Sequence, residues 1–258
     1  MNRHKITIVK VGGAVVEDDT RLAALLDGFC RLEGSKILVH GGGRSATKIA
    51  QSLGIESKMV NGRRITDEAM LRIVTMVYGG LVNKNIVAQL QSRGENALGL
   101  TGADMDVIRS HKRPVKDVDY GFVGDVERVD GARLFSLLES GITPVLAPLT
   151  YDGKGTILNT NADTIASETA KALAAFADVT LVYAFEKSGV LADPDDESSV
   201  IRNINSGNFE SLKADGTVAG GMLPKLENAL AAIKAGVACV AITKENDLAV
   251  ENGTVISK

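Results

Sequence analysis

Short apolar runs alternate along this chain with segments of helical periodicity. The run ITIVKVGG (residues 6–13) is followed by a helical segment at about residues 20–33 and then by KILVHGGG (residues 36–43). Because this alternation is typical of β-α-β units, it predicts an α/β fold with a mostly parallel sheet that is covered on both faces. Further strands are predicted near Leu98, Val123, Val145, Leu181 and Val240.

Polar residues mark where two of the helices begin. Thr66 precedes Asp67, Glu68 and a helical run to about Arg93, which predicts Thr66 as an N-cap with acidic residues in the first turn. Asn161 stands in the same way before ADTIASETAKALAAF. The polar interval at residues 191–207 is predicted to be a surface excursion between elements.

Composition places the chain among ordinary globular proteins. Its 258 residues, 45% of them hydrophobic and 24% charged, allow one large domain or two lobes, and the net charge of -3 gives no indication of nucleic-acid binding. No apolar run approaches the ~18 residues of a membrane span, so a cytoplasmic location without membrane association is expected. Cys30 and Cys239 stand far apart in the sequence, with no CxxC or Cys/His grouping, so neither a disulfide nor a zinc site is predicted, and both are expected to be buried.

Glycines follow two of the predicted strands. Gly12 and Gly13 end the first strand, and Gly41 to Gly43 end the second. Glycine lets backbone N–H groups approach an anion closely, and a following helix adds its N-terminal dipole. A tight turn is an equally good interpretation of either loop alone, but both together favour a shared anion. The glycines match neither a Walker A motif nor the GxGxxG motif of dinucleotide-binding proteins.

Two lysines lie close to glycines of this kind, Lys10 before the first glycine loop and Lys225 after a pair of glycines further along the chain. Lys10 ends the first strand, where a buried charge needs a partner and where open α/β sheets bind ligands. Gly220 and Gly221 are predicted to open a helix that places Lys225 in about its first turn. A lysine at such a position is more often a solvated helix residue.

Six motifs follow one another in a fixed order: IVKVGG, VHGGG, NGRRIT (residues 61–66), LVNKNIV, LNTNAD (residues 158–163) and GGMLPK. In this respect the whole chain resembles the amino-acid kinase family, and most closely its members that phosphorylate N-acetylglutamate. The resemblance implies a three-layer α/β/α sandwich. It also implies an N-terminal lobe for the acyl amino acid, residues 1–175, and a C-terminal lobe for ATP with Mg²⁺, residues 176–258.

The resemblance also assigns a role to each matching residue. It implies that Lys10 and Lys225 neutralise the transferring phosphoryl group and that Asp163 fixes both lysines. The residues implied to bind the acyl amino acid are Gly42, Gly43, Arg64, Asn159 and Asn161, and those implied to bind nucleotide are Gly12, Gly13, Lys187, Ser188 and Gly189. Without the resemblance, the residues themselves favour Arg64 as a surface arginine, Asn161 as an N-cap and Asp163 as a first-turn carboxylate.

The segment EKSGVL (residues 186–191) departs from the TDVxGVL-like pattern of the family, with Glu186 in place of the usual aspartate. Its contacts with adenine and ribose are therefore less well defined than those with phosphate.

None of the three histidines is needed for catalysis. His4 and His111 are expected at the surface, the latter in a polar loop, and His40 is expected to order the glycine loop.

The expected function is ATP-dependent phosphorylation of the γ-carboxylate of N-acetyl-L-glutamate in arginine biosynthesis. A glutamate carboxylate with a reference pKa of ~4.3 is already ionised and needs no general base. Alternatives are an N-succinyl-L-glutamate kinase, another carboxylate or carbamate kinase, a non-catalytic amino-acid sensor, and a dinucleotide-binding oxidoreductase. The last of these is disfavoured because this sequence lacks the glycine fingerprint of that class.

Arginine-inhibited relatives have an N-terminal helix before the first strand. Only Met1 to His4 stand there in this sequence, so a homodimer insensitive to arginine is expected.

Overall fold

The computed structural model describes residues 3–193, 195–218 and 222–258, except for the side chain at position 224. The strands are β1 (Lys5–Val11), β2 (Ser35–His40), β3 (Met59–Val60), β4 (Arg63–Arg64), β5 (Ala97–Leu100), β6 (Ile108–Lys112), β7 (Gly124–Val129), β8 (Thr143–Leu146), β9 (Leu149–Tyr151), β10 (Ile157–Asn159), β11 (Asp178–Phe185), β12 (Asn203–Ile204), β13 (Cys239–Lys244) and β14 (Thr254–Ile256). The α-helices are α1 (Gly13–Val16), α2 (Asp19–Arg31), α3 (Gly43–Ser52), α4 (Glu68–Val74), α5 (Asn83–Gln91), α6 (Gly131–Glu139), α7 (Ala162–Leu173), α8 (Ser206–Ala214) and α9 (Met222–Lys234).

Most of these strands belong to a central sheet, as the apolar pattern predicts. Among the described residues its order is β12-β14-β13-β11-β1-β2-β8-β5. The five-strand stretch from β13 to β8 is parallel throughout, as is the pair β8 and β5, whereas β14 runs antiparallel to β13. The α/β class with a mostly parallel sheet is therefore confirmed.

The two faces of this sheet are buried in two separate cores, and β1 shows how the chain divides between them. Ile6 and Ile8 point into one core together with residues of α7 and α9, whereas Val9 and Val11 point into the other with residues of α2 and α5. Side chains alternate along a strand. Lys10 therefore continues the row of Ile6 and Ile8, toward the α7 side.

A second, four-stranded sheet has the order β10-β9-β6-β7 and corrects one expectation. The strand predicted near Val123 forms as β7, but it pairs antiparallel with β6 in this smaller sheet and not in the central one. The apolar pattern of a strand does not show which sheet it joins. β3 and β4 form a separate hairpin, whose turn residues Asn61 and Gly62 have φ values of 48° and 72°, as a tight hairpin turn requires.

The long helix predicted after Thr66 is divided into three parts. Its N-cap is Asp67, whose side chain accepts the amide hydrogen of Met70, so the assignment of Thr66 was wrong by one residue. Thr66 is instead buried and bridges to Gly121. Between α4 and α5 the residues Thr75–Val82 form a π-helical segment, which the helical pattern of the sequence does not indicate.

Smaller features of the fold confirm some of the sequence-based expectations and correct others. The helix predicted at about residues 20–33 is α2, and Asn161 caps α7 as predicted. The interval at residues 191–207 is not only a surface excursion, because it contains β12, the edge strand beside β14. His111 is exposed but lies in β6 and not in a loop, and Cys30 and Cys239 are half-buried and not fully buried.

The proposed lobe boundary at residue 175 falls between the end of α7 and the start of β11. β1 and β11 pair over the whole of β1, so the central sheet continues across this point. The division into two lobes remains a prediction. None of the helices in the described residues has the length and apolarity to cross a membrane.

Candidate active site

The two glycine loops lie side by side at the carboxyl ends of β1 and β2. The Gly41 amide donates a hydrogen bond to the Val11 carbonyl at 3.0 Å. A Cβ atom on Gly41 would stand 3.0 Å from the Gly13 nitrogen, and one on Gly13 would stand 3.4 Å from the Gly42 nitrogen. Glycine is needed here because one backbone approaches another. The two loops therefore meet, as a shared site requires.

Gly42 is also confined by Tyr78 of the π-helical segment. A Cβ atom on Gly42 would lie 2.9 Å from Cδ1 of the Tyr78 ring. Burial raises the pKa of the Tyr78 hydroxyl, whereas the nearby charge of Arg64 acts in the opposite direction. The π-helical turn positions this ring against the loop, and π-helical turns occur often at functional sites.

His40 is hydrogen-bonded to the second glycine loop. Its Nδ1–H donates to the Gly41 carbonyl at 2.7 Å, and its Nε2 accepts from Nδ2 of Asn83 at 3.1 Å. Asn83 donates also to the Val145 carbonyl at 2.9 Å. The imidazole is fully buried, and this burial lowers its pKa to about 4. A neutral, fully bonded histidine orders the loop and does not act as a base.

Lys10 and Asp163 form a buried ion pair on the α7 side of the sheet. Lys10 is only 7% exposed, and its Nζ lies 2.6 Å from Oδ1 of Asp163. Asp163 stands in the first turn of α7, where Oδ1 of Asn161 accepts its backbone amide at 2.8 Å. The cap thus fixes the turn that presents the carboxylate to the lysine.

Lys225 lies in the first turn of α9 and joins this cluster. Burial lowers the pKa of its ammonium group and the charge of Lys10 lowers it further, whereas Asp163 acts in the opposite direction. Its Nζ is 3.7 Å from the centroid of the Phe185 ring, and that of Lys10 is 5.4 Å from the same centroid. Gly220 and Gly221, predicted to open this helix, lie outside the described residues.

Arg64 is not the surface arginine that its polar surroundings in the sequence allow. It is 8% exposed, and its Nη2 donates to the Gly43 carbonyl at 2.7 Å and to Oγ1 of Thr47 at 2.9 Å. Its Nη1 donates to the hydroxyl of Ser57. The β3–β4 hairpin therefore holds this guanidinium against the glycine loop.

A smaller cavity of about 200 Å³ opens beside Arg64. Asn159 and Asn161 both line it. The Asn159 side chain donates to Oγ1 of Thr66 at 2.9 Å. Asn161 both lines the cavity and caps the N-terminus of α7. The lining residues are Gly41, Gly42, Gly43, Met59, Gly62, Arg63, Arg64, Tyr78, Val123, Pro148, Asn159, Thr160, Asn161 and Ala162.

A larger cavity of about 640 Å³ adjoins it. Both cavities are lined by Gly43, Met59 and Arg64, so the two meet at the second glycine loop. The larger one contains both lysines of the cluster and the first glycine loop. Its other lining includes Ala14, Arg44, Thr47, Phe185, Glu186, Lys187, Gly189 and Met222.

The sequence profile described as the amino acid kinase family matches residues 5–244. The chain belongs to this family. Among its relatives, a protein of Bacteroides fragilis called acetylglutamate kinase is 64% identical over 256 residues, which cover 99% of this chain and 98% of that protein. An acetylglutamate kinase of Methanopyrus kandleri is 41% identical, with 96% of this chain and 99% of that protein covered.

Solved structures share the fold of this chain. A Streptococcus mutans protein superposes with a TM-score of 0.77 at 28% identity, and 98% of each chain is covered. The carbamate kinase of Giardia lamblia, solved with AMP-PNP, superposes with a TM-score of 0.69 over 99% of both chains. At 15% identity that likeness shows the fold alone.

Residues 187–189, in the segment that departs from the usual family pattern, are divided between two cavities. Lys187 and Gly189 line the larger cavity, whereas Ser188 lines a separate surface depression with Lys244 and Asp247. Gly189 also packs closely on β14, because a Cβ atom there would stand 2.6 Å from Oγ1 of Thr254. Only two of the three predicted residues therefore reach the larger cavity.

The sequence did not point to several residues of this site in the amino acid kinase fold. Tyr78 and Phe185 contact the predicted residues, and Arg21 binds Glu245 at 2.8 Å and Glu186 at 3.2 Å. Strand alternation predicts that Phe185 shares a face of β11 with Tyr183, and the structure adds that Tyr183 is the register partner of Lys10. No such pattern predicts Tyr78, since its place depends on the π-helical turn.

Proposed function

We propose that this protein transfers the γ-phosphoryl group of ATP to the γ-carboxylate of N-acetyl-L-glutamate, the activity after which its relatives are named, and so serves arginine biosynthesis. The observation that supports this most directly is the meeting of the two cavities at Gly43 and Arg64. Two substrates placed in these cavities face each other across one glycine loop, within reach of a cluster of lysines.

The smaller cavity is the proposed site for the acyl amino acid. Arg64 and Asn159 bind its α-carboxylate, because a guanidinium offers paired donors that match a carboxylate. The amides of Gly42 and Gly43 face the γ-carboxylate, and Asn161 lines the site beside Asp163. In this proposal the acyl amino acid belongs to the N-terminal lobe, residues 1–175.

The larger cavity is the proposed site for ATP. Residues of both proposed lobes line it, and the nucleotide itself is assigned to the C-terminal lobe, residues 176–258. Gly12 and Gly13 supply amides to the phosphates, and Lys187 and Gly189 lie along the nucleotide. ATP enters as its Mg²⁺ complex. In the part of the chain that the structure describes, no three His, Cys, Asp or Glu side chains group as metal ligands.

The chemistry needs positive charge and no base. The γ-carboxylate is ionised at neutral pH, and an attacking oxygen 4 Å from a phosphate charge meets a repulsion of about 4 kcal/mol at an effective dielectric of 20. Lys10 and Lys225 offset this repulsion while Asp163 orients them. The carboxylate oxygen bonds to the γ-phosphorus, the bond to the ADP oxygen breaks, and an acyl phosphate and ADP are formed.

The product provides the test. Hydroxylamine converts an acyl phosphate to a hydroxamate, so we expect hydroxamate formation that requires ATP, Mg²⁺ and N-acetyl-L-glutamate together. Unacylated glutamate is the matched control. Equal rates with the two acceptors would contradict the proposed specificity, and no hydroxamate with either would contradict the proposed function.

N-Succinyl-L-glutamate is a second candidate, and one residue favours it. Arg63 lines the smaller cavity in addition to Arg64. Burial lowers the pKa of its guanidinium, and the charge of Arg113 acts in the same direction. Asp125 opposes this shift without cancelling it, so an additional carboxylate nearby would be stabilising. A comparison of kcat/KM for the two acyl forms decides between them. If the succinyl form is the substrate, Arg63→Ala lowers kcat/KM for it far more than for the acetyl form.

The cytoplasmic location and the homodimer remain predictions. Light scattering on the purified protein tests the dimer, and a hexamer would contradict it. Inhibition by millimolar arginine would contradict the expected insensitivity.

A further inference from the structure

Phe185 is the last residue of β11 and lies between the lysines and the core. Its ring stacks on that of Tyr183, two residues earlier on the same face of the strand, with centroids 6.1 Å apart and planes 11° from parallel. Tyr183 is itself buried. The Phe185 ring is thus supported from the core side, while it lines the larger cavity on the other.

The cluster above this ring has an excess of positive charge. Lys10, Lys225 and Asp163 together have two ammonium groups and one carboxylate, and the carboxylate lies 2.6 Å from Lys10. The face of an aromatic ring is the negative part of its quadrupole and attracts a cation within about 6 Å of its centroid. Nζ of Lys225 is 3.7 Å from the Phe185 centroid and Nζ of Lys10 is 5.4 Å from it.

We infer that Phe185 is a positioning residue for phosphoryl transfer, whose ring face holds the ammonium group of Lys225, and more weakly that of Lys10, at the floor of the nucleotide cavity. The inference rests on the proposed function. Without the ring, the nearest anionic partner of Lys225 in this cluster is Asp163, where it would compete with Lys10. The two lysines would then no longer have separate partners, with Lys10 on Asp163 and Lys225 on the ring.

The type of contact suits a lysine that must change partners. A cation–π contact stabilises by about 0.5–2 kcal/mol, whereas a buried ion pair costs several kcal/mol to break. Lys225 can therefore leave the ring for an arriving phosphate more easily than it could leave a carboxylate. The ring places the ammonium group in advance and does not compete strongly with the substrate.

Kinetics of two kinds of variant test the role. Phe185→Leu keeps an apolar side chain and removes the ring face, and we expect kcat to fall about tenfold while KM for N-acetyl-L-glutamate changes less than twofold. Replacement of Phe185 by mono-, di- and trifluorophenylalanine weakens the negative face with little change of shape. Here log kcat should fall stepwise with each fluorine.

Phe176 provides the matched control. It is a partly exposed phenylalanine whose ring stacks on Phe135 and contacts neither lysine. The same replacements at Phe176 should leave kcat unchanged. A flat response to fluorination at Phe185 would mean that the ring only fills volume, and the inference would be wrong.

A measurement without turnover separates this inference from the proposed function. Protons held over a ring face are shifted upfield, so the ε-methylene protons of Lys225 should resonate upfield in the NMR spectrum of the native protein and return to the ordinary position in Phe185→Leu. An ordinary position in the native protein overturns the inference. An upfield shift in a protein that phosphorylates neither acylglutamate supports the ring contact, overturns the proposed function and removes the catalytic role inferred from it.

Discussion

Lys10 and Arg64 are both buried cations, but they face different charges in the proposed reaction. Lys10 faces a phosphoryl group whose charge moves during transfer, so Lys10→Ala should lower kcat about 100- to 1000-fold and change KM for the acylglutamate little. Lys10→Arg should not restore kcat, because a planar fork does not fill the place of a point charge. Steady-state kinetics measure kcat and KM of both variants, and Lys58→Ala, at an exposed position, is the control. Near-normal kcat in folded Lys10→Ala would refute the role.

Arg64 is proposed to bind an α-carboxylate that does not change during the reaction. Its contact is therefore nearly the same in the ground state and the transition state. Arg64→Ala should raise KM for the acylglutamate about 10- to 100-fold, as expected for the loss of a charged hydrogen bond, with a much smaller fall in kcat. The exposed Arg72→Ala serves as the control. A fall in kcat at constant KM would argue against carboxylate binding.

His40 should make the fold sensitive to acid. Its pKa is about 4 in the folded protein and about 6.5 when unfolded, so in between the unfolded chain takes up a proton that the folded protein does not. Stability is thus unaffected above pH 6.5 and is lost as the pH falls toward 4, by about 2 kcal/mol at pH 5. Urea unfolding measures this loss. In His40→Gln, which keeps one donor and one acceptor, this part of the loss should be absent.

At the scale of elements, the second glycine loop and the π-helical segment fit together through Gly42 and Tyr78. Gly42→Ala would force the Tyr78 ring to move, since the added Cβ atom would lie 2.9 Å from it, and should reduce the free energy of unfolding by about 1–3 kcal/mol. Gly12→Ala is the matched control for stability, because a Cβ atom there has no neighbour within 4 Å. Its unfolding free energy should change by less than about 0.5 kcal/mol. Equal losses in both variants would exclude the Tyr78 contact as the cause.

Elements were predictable from the sequence where one local signal determines them. The strand ITIVKV and the Asn161 cap form as expected, because apolar runs and N-cap chemistry act over a few residues. The π-helical segment and the smaller sheet were not predictable. An extra residue in a helical turn and the choice of a partner strand are both decided by tertiary packing, and an apolar pattern is the same in either case.

At the scale of the whole molecule, the motifs of the family indicate the residues of the site but not how the fold brings them together. Lys10 and Asp163 are 153 positions apart in sequence, and only the topology of the sheet brings them to 2.6 Å. Ser188 shows the limit of the motif, since its side of the turn faces away from the larger cavity. A turn conformation decides which of three consecutive residues reaches a ligand, and residue types alone do not determine it.

Because Arg64 lines both cavities and is hydrogen-bonded to the Gly43 carbonyl, the two substrates should bind cooperatively. A carboxylate that immobilises Arg64 also immobilises the loop that faces the nucleotide, so part of the ordering cost is met by whichever substrate arrives first. N-Acetyl-L-glutamate should then raise the affinity for AMP-PNP about fivefold or more, and by thermodynamic linkage AMP-PNP should raise the affinity for the acylglutamate by the same factor. Calorimetric titrations in both orders measure the two factors, and strictly independent binding would show that Arg64 does not transmit the occupancy of one cavity to the other.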